Sequence, residues 1–317
     1  MKLKEIYALA VEMGINRDPR GEEAVRALLA KERQRYEELK EDEKEDYDLE
    51  KLVNPYSDTR ILYGDPEKEV QRVLAGIDME VQEVLLADRL GEKGKPIDLI
   101  IAHHPEGRAL AALHEVMHLQ EDVLAYFGVP INVAEGILAS RISEVKRGLM
   151  PLNHFRAIDA ARLLGLPLMC VHTPADNLVT SYLQRLFDER KPERLSNVLE
   201  VLKEIPEYRA ALKQGAGPTI VVGEKNRRAG KIFVDMTGGT SGSPEAYAKL
   251  QVAGVGTVVG MHIKEEHRKE AEKNNINVVI AGHMASDSLG MNLFLDELAR
   301  QGVEIITTSG LIRVART

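Results

Sequence analysis

Three histidine-containing segments carry the residue types of a metal site. In each, a histidine follows an apolar run, and in two of them an aspartate comes four residues later: His103 and His104 in "DLIIAHHP", His172 and Asp176 in "MCVHTPAD", and His283 and Asp287 in "VVIAGHMASD". Imidazoles with carboxylates suit Zn, Mn, Fe, Co or Ni. Four histidines and two aspartates provide enough ligands for two ions about 3.5 to 4 Å apart. The sequence therefore predicts a two-metal centre.

The local pattern also indicates how these side chains are arranged. Neighbouring side chains of an extended strand point to opposite sides, so His103 and His104 suit two adjacent ions better than one. In a helix, residues four apart share a face, which brings Asp287 to the side of His283. Open α/β sheets gather their ligands at the carboxyl ends of strands. We therefore expect the three segments to meet at such an edge.

A competing pattern lies in "LHEVMH", which contains the H-E-x-x-H of zinc peptidases. His114 and His118 would share one helix face with Glu115, and Glu135 or Glu144 could supply a third ligand. The longer peptidase pattern, which adds a glycine and a third histidine, is absent. A polar outer helix face is the favoured interpretation, and a zinc peptidase remains an open alternative.

A Gly-rich loop follows a predicted strand in "KIFVDMTGGTSGSPEAYAKL". Backbone amides in such a loop can bind an anion, and glycines allow its close approach. The candidate anion loop consists of Gly238, Gly239, Thr240, Ser241 and Gly242. The Gly-Lys-Ser/Thr ending of a P-loop is missing, and a plain tight turn is the favoured interpretation.

Composition excludes several classes of protein. Among 317 residues, 42 are Lys or Arg and 50 are Asp or Glu, a formal charge of −8 that argues against nucleic acid as the main partner. The single cysteine, Cys170, has no disulfide partner, which favours a reducing cytoplasm. Glu5 and Glu12 interrupt the N-terminal apolar positions, and no apolar run approaches the roughly 18 residues of a membrane span. We expect a cytoplasmic protein without a membrane segment.

Short apolar runs alternate with helical patterns along most of the chain, which predicts an α/β fold with mostly parallel sheets covered by helices. Three parts are predicted. Residues 1–52 form a helical extension, and residues 53–214 form a first α/β half with the His-His-Pro and His-Thr-Pro-Ala-Asp sites. Residues 215–317 form a second α/β half with the Gly-rich loop and the Gly-His-x-x-Ser-Asp site, closed by the strand "VEIITTSG".

Together, "DLIIAHHP", "VHTPAD" and "INVVIAGHMASD" resemble motifs of the Nif-three-like family, whose members are known as GTP cyclohydrolase type 2 homologues. "NPYSDTRILYGDPE" is similar to that family's opening segment and "MTGGTSG" to its Gly-rich loop. The resemblance covers most of the chain after about Asn54. It implies a two-lobed α/β fold with the site between the lobes, and a homo-oligomer, specifically a ring-like hexamer.

Carried over motif by motif, the resemblance implies five metal ligands and one histidine that orients them. The ligands would be His103, His104, Asp176, His283 and Asp287, with His172 as the orienting neighbour. Two departures stand out. Asp287 replaces the usual Glu, which shortens the ligand by one methylene. The segment around "LHEVMH" and the first 52 residues have no counterpart, so an altered cavity is expected.

The expected activity is hydrolytic. Two divalent ions would serve as cofactors and activate water, and Asp176 or Asp287 could accept its proton. The expected partner is a small-molecule substrate such as a nucleotide or phosphoester, and the resemblance implies ring opening of a guanine nucleotide. Two alternatives remain: a zinc peptidase using His114-Glu115-x-x-His118, and a metal-binding oligomeric scaffold without catalysis.

Overall fold

The computed structural model describes residues 1–316 of the chain. The strands in this range are β1 (Arg60–Tyr63), β2 (Arg72–Gly76), β3 (Leu99–Ala102), β4 (Leu168–Cys170), β5 (Thr219–Val222), β6 (Lys231–Asp235), β7 (Val255–Gly260), β8 (Asn277–Ile280) and β9 (Glu304–Thr307). The α-helices in this range are α1 (Leu3–Asn16), α2 (Glu22–Glu38), α3 (Glu41–Glu45), α4 (Val81–Glu92), α5 (Gly107–Ala111), α6 (Leu113–Val116), α7 (Leu119–Tyr126), α8 (Ile131–Leu149), α9 (Arg156–Leu164), α10 (Thr173–Arg190), α11 (Leu195–Glu204), α12 (Pro206–Lys213), α13 (Ala246–Val252), α14 (Glu265–Lys273) and α15 (His283–Arg300). A short 3-10 helix, Leu49–Leu52, precedes β1.

The first sheet has five strands in the order β1-β4-β3-β2-β9. β1 is antiparallel to β4, and the other neighbours are parallel. Gly76 pairs with Ala102, and Ala102 pairs with Cys170, so β2, β3 and β4 end at the same level. All four residues of β3 are buried, as expected for a parallel strand covered on both faces. The carboxyl ends of these strands therefore form one edge.

The second sheet has four strands in the order β5-β8-β7-β6. β5 is antiparallel to β8, and the remaining pairs are parallel. Asp235 pairs with Gly260, and Gly260 pairs with Ile280, so β6, β7 and β8 also end level. The predicted α/β class with mostly parallel sheets is confirmed.

The strand predicted to close the second half lies in the first sheet. β9 runs parallel to β2, with Ile305 paired to Val73 and Thr307 to Ala75. The apolar pattern correctly indicated a strand here, but such a pattern does not specify which sheet the strand joins. The division of the chain at residue 215 stays a prediction.

Two long helices connect the sheets to the site. α10 begins directly after β4, and α15 begins directly after β8. Both helices contribute side chains to two apolar cores, one against each sheet. They meet at Gly290, where an added Cβ would lie 2.9 Å from the carbonyl carbon of Ala175. This close approach sets the distance between the first turns of α10 and α15.

The N-terminal residues are helical, as predicted, but α1 is part of the core. Leu3 and Ile6 are fully buried against the first sheet. Gly14 lies against Pro174 at the start of α10, where an added Cβ would be 2.8 Å from the proline Cβ. By contrast, α2 is mostly exposed. Among the described residues, no helix combines the length and the apolar character needed to cross a membrane.

Candidate metal centre

The level strand ends of both sheets bring all six predicted residues into one place. His103 and His104 directly follow β3, His172 follows β4, and His283 is the first residue of α15. Asp176 and Asp287 lie in the first turns of α10 and α15, each four residues after a histidine. The four-residue spacing in the sequence thus places each carboxylate next to the imidazole that precedes it.

Asp287 lies at the centre of this cluster and is fully buried. Its Oδ1 is 3.5 Å from His103 Nε2, whereas its Oδ2 is 3.5 Å from His104 Nε2 and 3.4 Å from His283 Nε2. Neither oxygen has a hydrogen-bond partner within residues 1–316. A buried carboxylate without partners is costly, so the surroundings of Asp287 fit a bound cation.

Asp176 extends the cluster toward the first sheet. Its Oδ1 is 3.6 Å from His103 Nε2 and has no hydrogen-bond partner within the described chain. Its Oδ2 is 3.8 Å from His172 Nε2. Three sets of side chains place one ligand atom each within 4.8 Å of one another: His103, His104 and His172; His104, His283 and Asp287; and His103, Asp176 and Asp287. This buried His and Asp cluster could hold metal.

Hydrogen bonds from outside the cluster fix the orientation of three imidazoles. His104 Nδ1 is 2.7 Å from Asp78 Oδ1, and His172 Nδ1 is 2.7 Å from Asp58 Oδ2. His103 Nδ1 is 3.0 Å from the carbonyl oxygen of Val171. In each ring Nε2 is therefore left facing the cluster, as in metal-binding histidines. Sequence reasoning missed both aspartates, although Asp78 follows β2 as the site histidines follow their strands; Asp58 precedes β1 and has no such signal.

The charges of the cluster depend on one another. Burial raises the pKa of Asp287, but His103 and His104 outweigh burial and hold that pKa far below its usual range. Burial raises the pKa of Asp176 to about 6 despite His172 and His103. Burial lowers the pKa of His104, but the neighbouring carboxylates of Asp287 and Asp78 raise it to about 10. Without a metal ion, the positive charge of protonated histidine thus compensates the negative charge of Asp287, which a divalent cation would neutralise directly.

A cleft of about 310 Å³ opens over the cluster, and the second sheet supplies its other wall. His262, which follows β7, lines this cleft with its ring centroid 4.8 Å from that of His283. His267 on α14 is buried, and its Nε2 lies 3.0 Å from Gly242 O. The sequence "GMHIKEEHRKEAEKN" predicts a surface helix that carries both histidines, but His262 is an exposed residue that precedes α14, and His267 on α14 is buried. His262 could have been found, because it follows an apolar strand as the other site histidines do.

The segment "LHEVMH" does not form a comparable site. α6 ends at Val116 and α7 begins at Leu119, so no continuous helix carries His114 and His118. The His118 side chain is 63% exposed and pairs with Glu121. Glu115 Oε2 is 2.7 Å from Lys51 Nζ. None of the three ligand sets found within residues 1–316 includes these side chains, which supports a polar outer surface and not a peptidase site.

Removing the carboxylate that orients His104 tests whether the imidazoles are metal ligands. Asp78→Ala should weaken binding of the more loosely held ion by about 10- to 100-fold, because the ring loses its fixed orientation. Competition with a chelating dye measures this affinity. Asp159→Ala, at an exposed aspartate on α9, is the matched control and should leave the affinity unchanged. Equal affinities in both variants would contradict the assignment.

Comparison with solved structures identifies similar folds. A NIF3 superfamily protein from Sphaerobacter thermophilus matches with a TM-score of 0.71 and 27% identity, over 80% of this chain and 92% of the other. Reduced HcgD from Methanocaldococcus jannaschii matches with a TM-score of 0.50 and 15% identity, over 78% of this chain and 87% of its own. The sequence matches no family model and no curated protein.

Proposed function

Because the chain has a NIF3-like fold, as its three motifs indicated, and a buried His and Asp cluster, we propose that it is a metal-dependent hydrolase with a dinuclear centre. The observation that carries this proposal is Asp287, whose two oxygens are buried, unpaired within residues 1–316, and directed at different histidines. A carboxylate in that position suits a bridge between two ions.

The ligands divide between two positions. Asp287 Oδ1 shares its side of the cluster with His103 and Asp176, whereas Oδ2 faces His104 and His283. The shorter reach of aspartate compared with glutamate is compatible with bridging, because the Asp287 oxygens lie 3.4 to 3.5 Å from three imidazole Nε2 atoms. At the first position, His172 is either a further ligand or a neighbour that orients the site while its own ring is held by Asp58. The proposal is two divalent ions per chain, with Zn, Mn, Fe, Co and Ni all compatible.

Divalent ions in this centre would polarise the scissile group of the substrate and activate water for attack. Both oxygens of Asp287 would hold ions, whereas Asp176 directs Oδ1 at His103 and Oδ2 at His172. Asp176 is therefore the better placed of the two aspartates to accept a proton. Asp78 and Asp58 bind Nδ1 of His104 and His172, which leaves Nε2 of each ring directed at the cluster.

The cleft restricts the substrate to a small molecule, because about 310 Å³ is at the lower end of the volume of small-molecule pockets. A nucleotide or another phosphoester is the proposed class. Ring opening of a guanine nucleotide, implied by the resemblance, enters as a proposal for the reaction. A homohexamer is likewise proposed from that resemblance, and a cytoplasmic location is proposed from the single cysteine.

Metal analysis together with activity tests this function. Purified protein reloaded with divalent ions should hold two ions per chain, and treatment with a chelator should abolish hydrolysis of nucleotides or phosphoesters. Glu115→Gln should leave that hydrolysis unchanged, because Glu115 pairs with Lys51 outside the cluster. Fewer than one ion per chain would refute the proposal. Two bound ions without hydrolysis of nucleotides, phosphoesters or peptides would favour the scaffold alternative.

A further inference from the structure

The Gly-rich loop, residues 238–242, is tied down by its carbonyl groups. Gln120 Nε2 on α7 donates to Gly238 O at 2.6 Å and to Thr240 O at 2.7 Å. Arg141 Nε on α8 donates to Ser241 O at 3.0 Å. Side chains of two helices, α7 and α8, therefore bind three carbonyl groups of this short loop, those of residues 238, 240 and 241.

This arrangement determines where the loop amides point. In a planar trans peptide the carbonyl of one residue and the amide of the next point in opposite directions, and the described chain has no cis peptide. The amides of Gly239, Ser241 and Gly242 consequently point away from Gln120 and Arg141. These three residues line the cleft, whereas Gln120 and Arg141 do not. The amides are therefore directed toward the cleft.

The three amides also lack acceptors in the protein. Within the loop, only the Thr240 amide donates to a described residue, Gly238 O at 3.2 Å. Backbone donors away from bulk water require a partner, so those of Gly239, Ser241 and Gly242 must bond to water or to a ligand. Several convergent backbone amides form a typical binding site for an oxyanion.

A positive side chain completes this wall of the cleft. Lys264, between β7 and α14, lines the cleft and has no carboxylate within 4.0 Å in the described part of the chain. Asp235 also lines the cleft and opposes an anion there. Asp235 is exposed at the end of β6, so solvent screens its charge. Lys264 and the loop amides thus form the positive part of a cleft whose carboxylates are Asp235 on this wall and Asp176 and Asp287 in the metal cluster.

We propose that the Gly-rich loop and Lys264 bind the phosphoryl group of a phosphomonoester substrate. Three amides and an ammonium group match a tetrahedral anion with several oxygens better than a planar carboxylate. The cleft continues from the loop to His283 and Asp287, so a ligand held by its phosphoryl group extends over the metal cluster. The assignment of this ligand as substrate rests on the proposed function. Anion binding at the loop does not.

The test uses inorganic phosphate and chelator-treated, metal-free protein, so that phosphate cannot bind to the ions. Calorimetric titration should show binding to the wild type, and Lys264→Met should weaken it about tenfold or more. Lys269→Met, at an exposed lysine on α14, is the matched control and should not change the affinity. Phenyl phosphate should compete with phosphate, because the loop contacts only the phosphoryl group.

A second variant examines the loop itself. Gln120→Leu removes the donor to two carbonyls, so the peptides can rotate and phosphate affinity should fall although Lys264 is intact. Thermal melting checks that both variants are folded. The proposal is overturned if metal-free protein does not bind phosphate, if Lys264→Met and Lys269→Met behave alike, or if phenyl phosphate does not compete. If the metal-free protein binds phosphate but takes up fewer than one ion per chain when divalent ions are added back, the anion site is supported and only the hydrolase is refuted.

Discussion

Asp287→Asn should reduce metal affinity by more than about 100-fold and abolish metal-dependent hydrolysis. Removing a side chain that only orients a ligand typically weakens metal binding by about 10- to 100-fold. Asp287→Asn should weaken it more, because Asp287 would contact both ions directly. Asparagine keeps the shape of the side chain but loses its charge, and its amide group would face an imidazole Nε2 at about the present 3.4 to 3.5 Å. Metal content per chain after dialysis, together with the rate of hydrolysis, measures the effect.

Two controls test whether unfolding or a non-specific effect of the substitution causes the loss of metal binding. Asp159→Asn makes the same chemical change at an exposed site on α9 and should keep two ions per chain. Circular dichroism should show that the Asp287 variant is folded, since α10 and α15 are held by extensive apolar cores. Retention of both ions by Asp287→Asn would rule out the bridging role.

Gly290→Ala should destabilise the fold by about 1 to 3 kcal/mol and loosen the metal centre as well. The added methyl group would overlap with the backbone of Ala175, whose carbonyl carbon would lie only 2.9 Å away. To relieve this overlap α10 and α15 must separate, which moves Asp176 away from Asp287. Urea denaturation measures the free energy of unfolding, and metal titration measures the second effect.

The expected loss of stability is opposite in sign to the usual effect of this substitution in a helix. Glycine to alanine within a helix normally stabilises by about 0.5 to 1 kcal/mol, because alanine loses less conformational entropy on folding. Gly136→Ala in α8, where an added Cβ meets nothing within 4 Å, should show that normal gain. If Gly290→Ala also stabilised the protein, the helices would not be in the close contact described here.

The residues of the centre were largely predictable from the sequence. His103, His104, His172 and His283 follow apolar runs, and parallel strands align their carboxyl ends, so convergence of these side chains follows from a local rule. The same rule would have found His262. The rule does not reveal which carboxylates outside the cluster orient the rings. Asp58 contacts His172 across 114 positions, and only the packing of β1 beside β4 brings them together.

The orientation of the Gly-rich loop was beyond the reach of the sequence for a related reason. Its glycines indicated a turn that could bind an anion, but a plain turn has the same composition. The contacts that distinguish the two come from Gln120 and Arg141, which lie 100 to 120 residues before their partners in the loop. The helical segment that includes "LHEVMH" thus positions this loop, in place of the zinc site that its motif suggested.

By itself, the sequence of this protein indicated the α/β class and the ligand-type side chains of the candidate site, because apolar periodicity and ligand-bearing side chains are properties of short segments. The tertiary structure decided that β9 joins the first sheet, that Asp58 and Asp78 orient two histidines, and that the loop amides point into the cleft. Those outcomes depend on contacts between residues far apart along the chain. Their free energies are set by packing and hydrogen bonding in the folded molecule, which local patterns do not contain.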